Sequence, residues 1–386
     1  MAPDCAYNGK ETEGDIMLTA LLFAAAALAD LPAAAIHTAP VDGHPFGMVA
    51  TNDSQHLLAT IEGKSSGIAA FGITPDGMTK EGFAALDGTP TDFGLTPQGD
   101  IAVVTTFKHV YFVDVSKLIA GAADAVLGRV DTSGSSVNAA VSPDGAIALV
   151  AEENDGVISV LDLAAARTNG FKHIPVLGQA AVGTNPIGIA FDGAYAYVTV
   201  ERAASGLNWP DSCAAEGPGG DQAGAKGAVV TLSLKALETH PNGATLVGIT
   251  PAGCVPVRLA LSHDGSRLFV STRGDGKVLA FDRLKLASDP RHAQIYETTV
   301  GSAPIGIVAS DKAVFVALSA RFGDAGAPSS VVALDAATLA PIATLPAGNF
   351  PRELALTPDS HWLFIGNFTS GTVEQVDLTA ISAGSR

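Results

Sequence analysis

The sequence predicts an all-β fold, a seven-bladed β-propeller of four-stranded antiparallel blades, and three observations predict it. One motif recurs seven times between His44 and Ile381. Its period has the size of a propeller blade rather than of a helical or leucine-rich solenoid repeat. The last unit also lacks a fourth strand, and an orphan strand precedes the first.

The motif is clearest in Pro351-Arg-Glu-Leu-Ala-Leu-Thr-Pro-Asp-Ser-His-Trp-Leu-Phe-Ile-Gly-Asn367. Pro256-Val-Arg-Leu-Ala-Leu-Ser-His-Asp-Gly-Ser-Arg-Leu-Phe-Val-Ser-Thr272 matches it position for position. The same register starts at Pro45, Pro90, Ser136, Pro186 and Pro304, so successive starts lie 45, 46, 50, 70, 48 and 47 residues apart. Each unit opens with a first strand, as in Asn138 to Ser142, and a turn such as Ser142-Pro-Asp-Gly145. The Asp-Gly pair supplies the positive φ that a tight hairpin requires. A second strand (Arg267 to Ser271), a third (Lys277 to Asp282) and a looser fourth (Ile342 to Pro346) follow. Helical periodicity is almost absent after residue 30.

The ends predict how the ring closes. The last unit stops just after its third strand, whereas Ala35 to Val41 precedes the first unit as an orphan fourth strand. Pairing the two completes the seventh blade and removes two exposed edges.

The repeat resembles the bacterial YVTN propeller family, in which Pro-x-Gly-Val-Ala-Val-Ser-Pro-Asp-Gly leads into Leu-Tyr-Val-Ala-Asn. Pro186-Ile-Gly-Ile-Ala, Ser142-Pro-Asp-Gly145 and Leu363-Phe-Ile-Gly-Asn367 carry the likeness. The resemblance implies the fold, but the superfamily mixes lactonase-like enzymes, surface-layer proteins and binding proteins, so it leaves the function open.

Composition narrows the function. The chain has 386 residues, with 22 Lys plus Arg against 39 Asp plus Glu, a formal charge of −17 that repels phosphate backbones and anionic lipids. Nucleic acid is therefore not an expected partner. The apolar run Ile16 to Ala29 is too short for a comfortable membrane span and has the length of a signal-peptide core. Residues 1–34 are accordingly expected to be a leader, with secretion or a periplasmic location, and residues 35–386 a single propeller domain. A buried N-terminal helix is the alternative. The exported chain is expected to be a monomer without a stable membrane span. Removing Cys5 with the leader leaves Cys213 and Cys254, an even pair that reads as a disulfide in an exported protein.

Candidate site residues follow from the blade geometry. First strands line the axis, so residues at their starts and just after second strands are expected around one channel mouth. After the second strands come Glu62, Phe107, Glu153, Glu201, Arg273, Ser319 and Phe368. The third position of the first strands holds Gly47, Asp92, Asn138, Gly188, Arg258, Gly306 and Glu353. Arg258 and Arg273, from one blade, are candidates for a fork that grips a carboxylate or phosphate, with Asp92, Asn138, Glu62 and Glu353 as further ligand contacts. Glu153 and Glu201 are candidate general base and acid, and His44 or His109 a candidate replacement near neutral pH. The family resemblance implies a similar use of Arg, Glu and His to open or close a ring ester. The competing reading is a mutually neutralising charge ring without a ligand.

The 70-residue spacing reflects an insert of roughly twenty residues within 203–227 in blade four. It is rich in Gly and Pro and reads as a long loop, with Trp209 as an aromatic lid contact and Cys213 stapled to Cys254 over the mouth. A disordered decoration is the alternative. No cofactor motif is present. Glu62, Asp92, Asn138 and Glu153 offer oxygen ligands suited to calcium, though Arg258 and Arg273 nearby weigh against it. Two functions remain: a lactonase-like hydrolase or isomerase for a small anionic lactone or sugar acid, and a non-catalytic propeller binding an envelope protein or glycan.

Overall fold

The computed structural model describes residues 36–203, 226–243, 245–320 and 328–379. They form seven four-stranded antiparallel sheets arranged as a seven-bladed propeller. The inner strands, in blade order, are His44–Ala50, Pro90–Leu95, Ser136–Val141, Thr184–Phe191, Pro256–Leu261, Pro304–Ala309 and Pro351–Leu356. Each lies at one end of its sheet, with its free edge toward the axis.

The ring closes as the ends predict. Ile36–Pro40 pairs antiparallel with Thr372–Asp377, from Ile36 opposite Val376 to Pro40 opposite Thr372. Val41 N–H donates to the Gly371 carbonyl at 2.9 Å, extending the ladder past the strand. Both ends of the described chain are thereby fastened into one blade.

Alternation of side chains puts the hydrophobic core between blades rather than within one. One cluster joins Leu149 and Val160 of blade 3 to Val198 and Val230 of blade 4 and Val257 of blade 5. Such residues are buried on both faces of their sheets, which explains the near-continuous apolar runs of the second and third strands. The turns follow the repeated chemistry: Ser142 Oγ donates to Asp144 Oδ1 at 2.6 Å, and Gly145 takes φ 73°. Short helices, Val115–Ile119, Leu163–Thr168, Leu234–Thr239 and Lys285–Ser288, follow third strands. Asp114, Asp162 and Ser233 cap the first three through their side chains. At four to six residues they are too short to create helical periodicity in the sequence.

Every inner strand carries a register irregularity near its third residue. Bulges re-aim side chains, and here they turn the third position toward the axis. Second-strand hydroxyls hold the distortion and stitch neighbouring blades. Thr60 Oγ1 accepts from Gly47 N–H at 2.7 Å and donates to the Thr91 carbonyl of the next blade. Thr199 repeats this with Gly188 and Val257, and Ser271 with Arg258 and Ile305. A Cβ at Gly47 would stand 2.6 Å from Asp92 Oδ1, and one at Gly188 would stand 2.8 Å from the Val257 carbonyl. Close approach of the next blade thus requires glycine at those two slots.

Candidate functional site

The bulged third positions bring four of the predicted residues together across the channel. Arg258 Nη2 lies 3.0 Å from Asp92 Oδ2, and its Nε donates to Glu353 Oε2 at 2.9 Å. Asn138 Nδ2 donates to the same Asp92 oxygen at 2.7 Å. Blades 2, 3, 5 and 7 are therefore joined through one guanidinium, two carboxylates and an amide. All four residues are buried, and Asn138, at 8% exposure, keeps a buried Oδ1 with no hydrogen-bond partner.

Burial pushes the Glu353 carboxyl above its usual range, opposed by Arg258, while the Asp92 charge adds to the rise and Arg352 counters it. Arg258 is held above its ordinary value by Glu353 and Asp92, against burial, and Glu153 contributes through space.

Arg273 is engaged elsewhere. Its Nη2 donates to Glu201 Oε1 at 3.0 Å, both side chains nearly buried, and Asn185 Nδ2 donates to the other Glu201 oxygen at 3.3 Å. The expected fork of Arg258 and Arg273 is thus corrected: each guanidinium is taken up by different carboxylates of the protein. Glu153 and Glu201 divide in the same way, one in the field of Arg258 and the other bonded to Arg273.

The two histidines lie apart. His44 is exposed at the start of blade 1, its Nδ1 2.7 Å from the Phe368 carbonyl and its ring stacked on Phe368 at 4.9 Å. Glu62, half-buried, pairs in register with His44 rather than joining the axial group. His109 is not brought to the axis, because it begins a third strand, two strands out from the channel. There its Nδ1 sits 2.8 Å from Asp131 Oδ1 on the outer strand of blade 2, beside Tyr111. Of the oxygen set considered for calcium, Asp92 and Asn138 meet, with Arg258 on the Asp92 carboxylate. Among the described residues, no group of three or more His, Cys, Asp or Glu side chains is placed to hold a metal ion.

Trp209, Cys213 and nearly all of the 203–227 insert lie outside the described residues. Cys254, the expected partner of Cys213, ends the outer strand of blade 4 and is buried.

Arg352 and Glu152 lie one or two residues from the predicted slots, but sequence reasoning gave neither its partners. Arg352 stacks over Phe46 at 3.6 Å, and Phe350 and Phe368 pack edge-on beside it, giving an aromatic and cationic patch where blades 7 and 1 meet. Phe46 and Phe350 flank the repeat's prolines, but nothing in spacing alone places them against Arg352. Glu152 is buried at the end of a second strand. Its Oε2 accepts from Ser133 and Ser136 at 3.1 and 2.9 Å, its Oε1 has no partner, and burial raises its carboxyl despite the serine hydroxyls.

A cavity of about 430 Å³ opens from the axial group along the channel. Its lining runs from Asp92, Asn138, Arg258 and Glu353 to Leu95, Val141, Pro143 and Phe191, which lie at the far ends of inner strands or in the turns beyond. The cavity therefore faces the turn side, opposite the expected mouth. Side chains meeting across the channel at the bulges form its floor.

No family model matches the chain, and no curated protein matches it. The likeness to YVTN propellers accordingly rests on the repeat residues alone. The strand order establishes the seven-bladed propeller, and among the described residues no helix is long and apolar enough to cross a membrane.

Proposed function

We propose that this chain is an exported, non-catalytic YVTN-type propeller that binds a protein partner at the mouth opposite its hairpin turns. The observation that carries the reading is the neutralisation of Arg258 and Arg273 by the protein's own carboxylates. Arg258 and Arg273, the cations on which an anionic lactone would depend, are each held by buried carboxylates of the protein. Separating such a pair costs about 3–5 kcal/mol, as much as the roughly 4 kcal/mol that a millimolar ligand gains on binding. A small anion would spend its whole affinity on opening the pair. Arg352 on Phe46, with Phe350 and Phe368, supplies the arginine and aromatic chemistry enriched in protein interfaces. Cleavage of the leader within residues 1–34 and a Cys213–Cys254 bond belong to the same proposal.

The test is a thermal-shift panel of lactones and sugar acids on the full chain. Flat responses at millimolar ligand are expected. A saturable shift, abolished in Arg273→Ala, would overturn the reading, since ligand well above its dissociation constant raises stability by several kcal/mol.

One observation favours a hydrolase as the second reading. Glu353 lines the cavity beside Arg258, with a carboxyl that burial raises and Arg258 opposes, a placement that a proton-donating group would need. Turnover of any lactone that is lost in a folded Glu353→Gln variant supports it.

A further inference from the structure

We propose that the channel cavity on the turn side is a second binding site, and that it takes a primary ammonium group rather than an anion. The inference is independent of the protein-binding mouth and of any catalysis, because it rests on the cavity and its floor.

The cavity has the size of a small-molecule site, about 430 Å³. Its wall is made by the inner strands, each of which stands at one end of its sheet. Selectivity comes from the floor.

At the floor, two carboxylates, Asp92 and Glu353, face one guanidinium, Arg258. Around them, Glu153 acts through space on Arg258 and Arg352 on Glu353, one further charge of each sign. Asn138 adds an acceptor. Its Nδ2 is committed to Asp92, which fixes the amide orientation and leaves Oδ1 as a buried acceptor without a donor. Unpaired buried acceptors are rare and ask for a partner. An ammonium offers three donors and one positive charge, so it can satisfy the amide oxygen and offset the carboxylate excess together. A carboxylate ligand would meet acceptors and negative charge at the same place. The acidic surface, with a formal charge of −17, also draws cations toward the opening.

The probe is n-butylammonium, compared with butyrate of the same length, on the full chain by titration calorimetry and saturation-transfer NMR. Butylammonium should bind at one site at least about tenfold tighter than butyrate, the difference expected of a charge-assisted hydrogen bond. Two variants locate it. Ala140→Phe narrows the turn-side cavity without touching the charged floor, since Ala140 lines it one residue from the inner strand's end. Asn138→Leu removes the unpaired oxygen. Loss of binding in Ala140→Phe, with an unchanged unfolding midpoint, confirms the site even if Asn138→Leu fails to fold. Butyrate binding as tightly as butylammonium overturns the proposal. So does ammonium binding that survives Ala140→Phe, which would be general attraction to an acidic surface. Absence of saturable binding at tens of millimolar overturns it as well, while leaving the protein-binding mouth untouched.

Discussion

Arg258 and Arg129 are the same residue in opposite circumstances. Arg258 sits on the axis, its side chain 8% exposed, against Asp92 and Glu353, which are 10% and 9% exposed. Arg129 sits on the outer strand of blade 2, 47% exposed, within 4.0 Å of Asp87 and Asp131, which are about four-fifths exposed. Both arginines face two carboxylates. On the rim, water solvates every member, so the pairs add little beyond what solvent already provides. On the axis, the side chains are nearly buried, and removing one member leaves buried charge uncompensated. Depth, not the inventory of charges, separates a structural contact from decoration.

Four substitutions test that comparison. The largest effect belongs to Arg258→Ala, which leaves Asp92 and Glu353 facing each other in the channel and should destabilise the fold by about 3–5 kcal/mol in urea titration. A loss below about 1 kcal/mol would mean that solvent fills the channel and screens the group. Next comes the neighbouring-blade pair. Glu201→Gln keeps the shape but removes the charge facing Arg273, and a cost of about 1–3 kcal/mol is expected. A double-mutant cycle with Arg273→Met isolates the coupling.

Glu152→Gln should act through pH. Burial raises the Glu152 carboxyl in the folded chain, so the folded state holds its proton more tightly than the unfolded one. Its contribution is fully present below the unfolded value of about 4.3 and is lost as pH rises through the higher folded value. The glutamine variant should therefore gain stability relative to the parent chain between mildly acidic and alkaline pH. Parallel thermal-melt curves for the two proteins across that range would remove Glu152 from the account. The smallest effect is on the rim, where Arg129→Ala should leave the unfolding midpoint unchanged at physiological salt. A clear drop there would show that exposure does not separate the two arginines.

The fold was legible to the level of individual strands. Lys277–Asp282 and Thr372–Asp377 occupy the residues read from the repeat, and the closing strand runs Ile36–Pro40 within the expected Ala35 to Val41. Repetition made this possible, because each blade confirms the register of the others. The site was legible only as a ring of positions. Alignment brought out Asp92, Asn138, Arg258 and Glu353 because the same bulge recurs in every inner strand. It misassigned the partner of Arg258, since a position says which side chains face the axis but not how far each reaches. His109 was misplaced for a related reason. It is three residues from the end of a second strand, yet the chain has already turned into the third and carries it toward the rim.

By itself, then, the sequence determined the number of blades, their order and the strand that closes the ring, because these depend on local hydrophobic alternation, turn residues and period. Only the tertiary structure decided which charges meet, that Arg258 and Arg273 are already paired with carboxylates, and that the cavity faces the hairpin turns. Those outcomes depend on distances across the axis between residues as far apart in sequence as Asp92 and Glu353. Such distances are set by how seven twisted sheets pack around a common centre, and no local pattern encodes them.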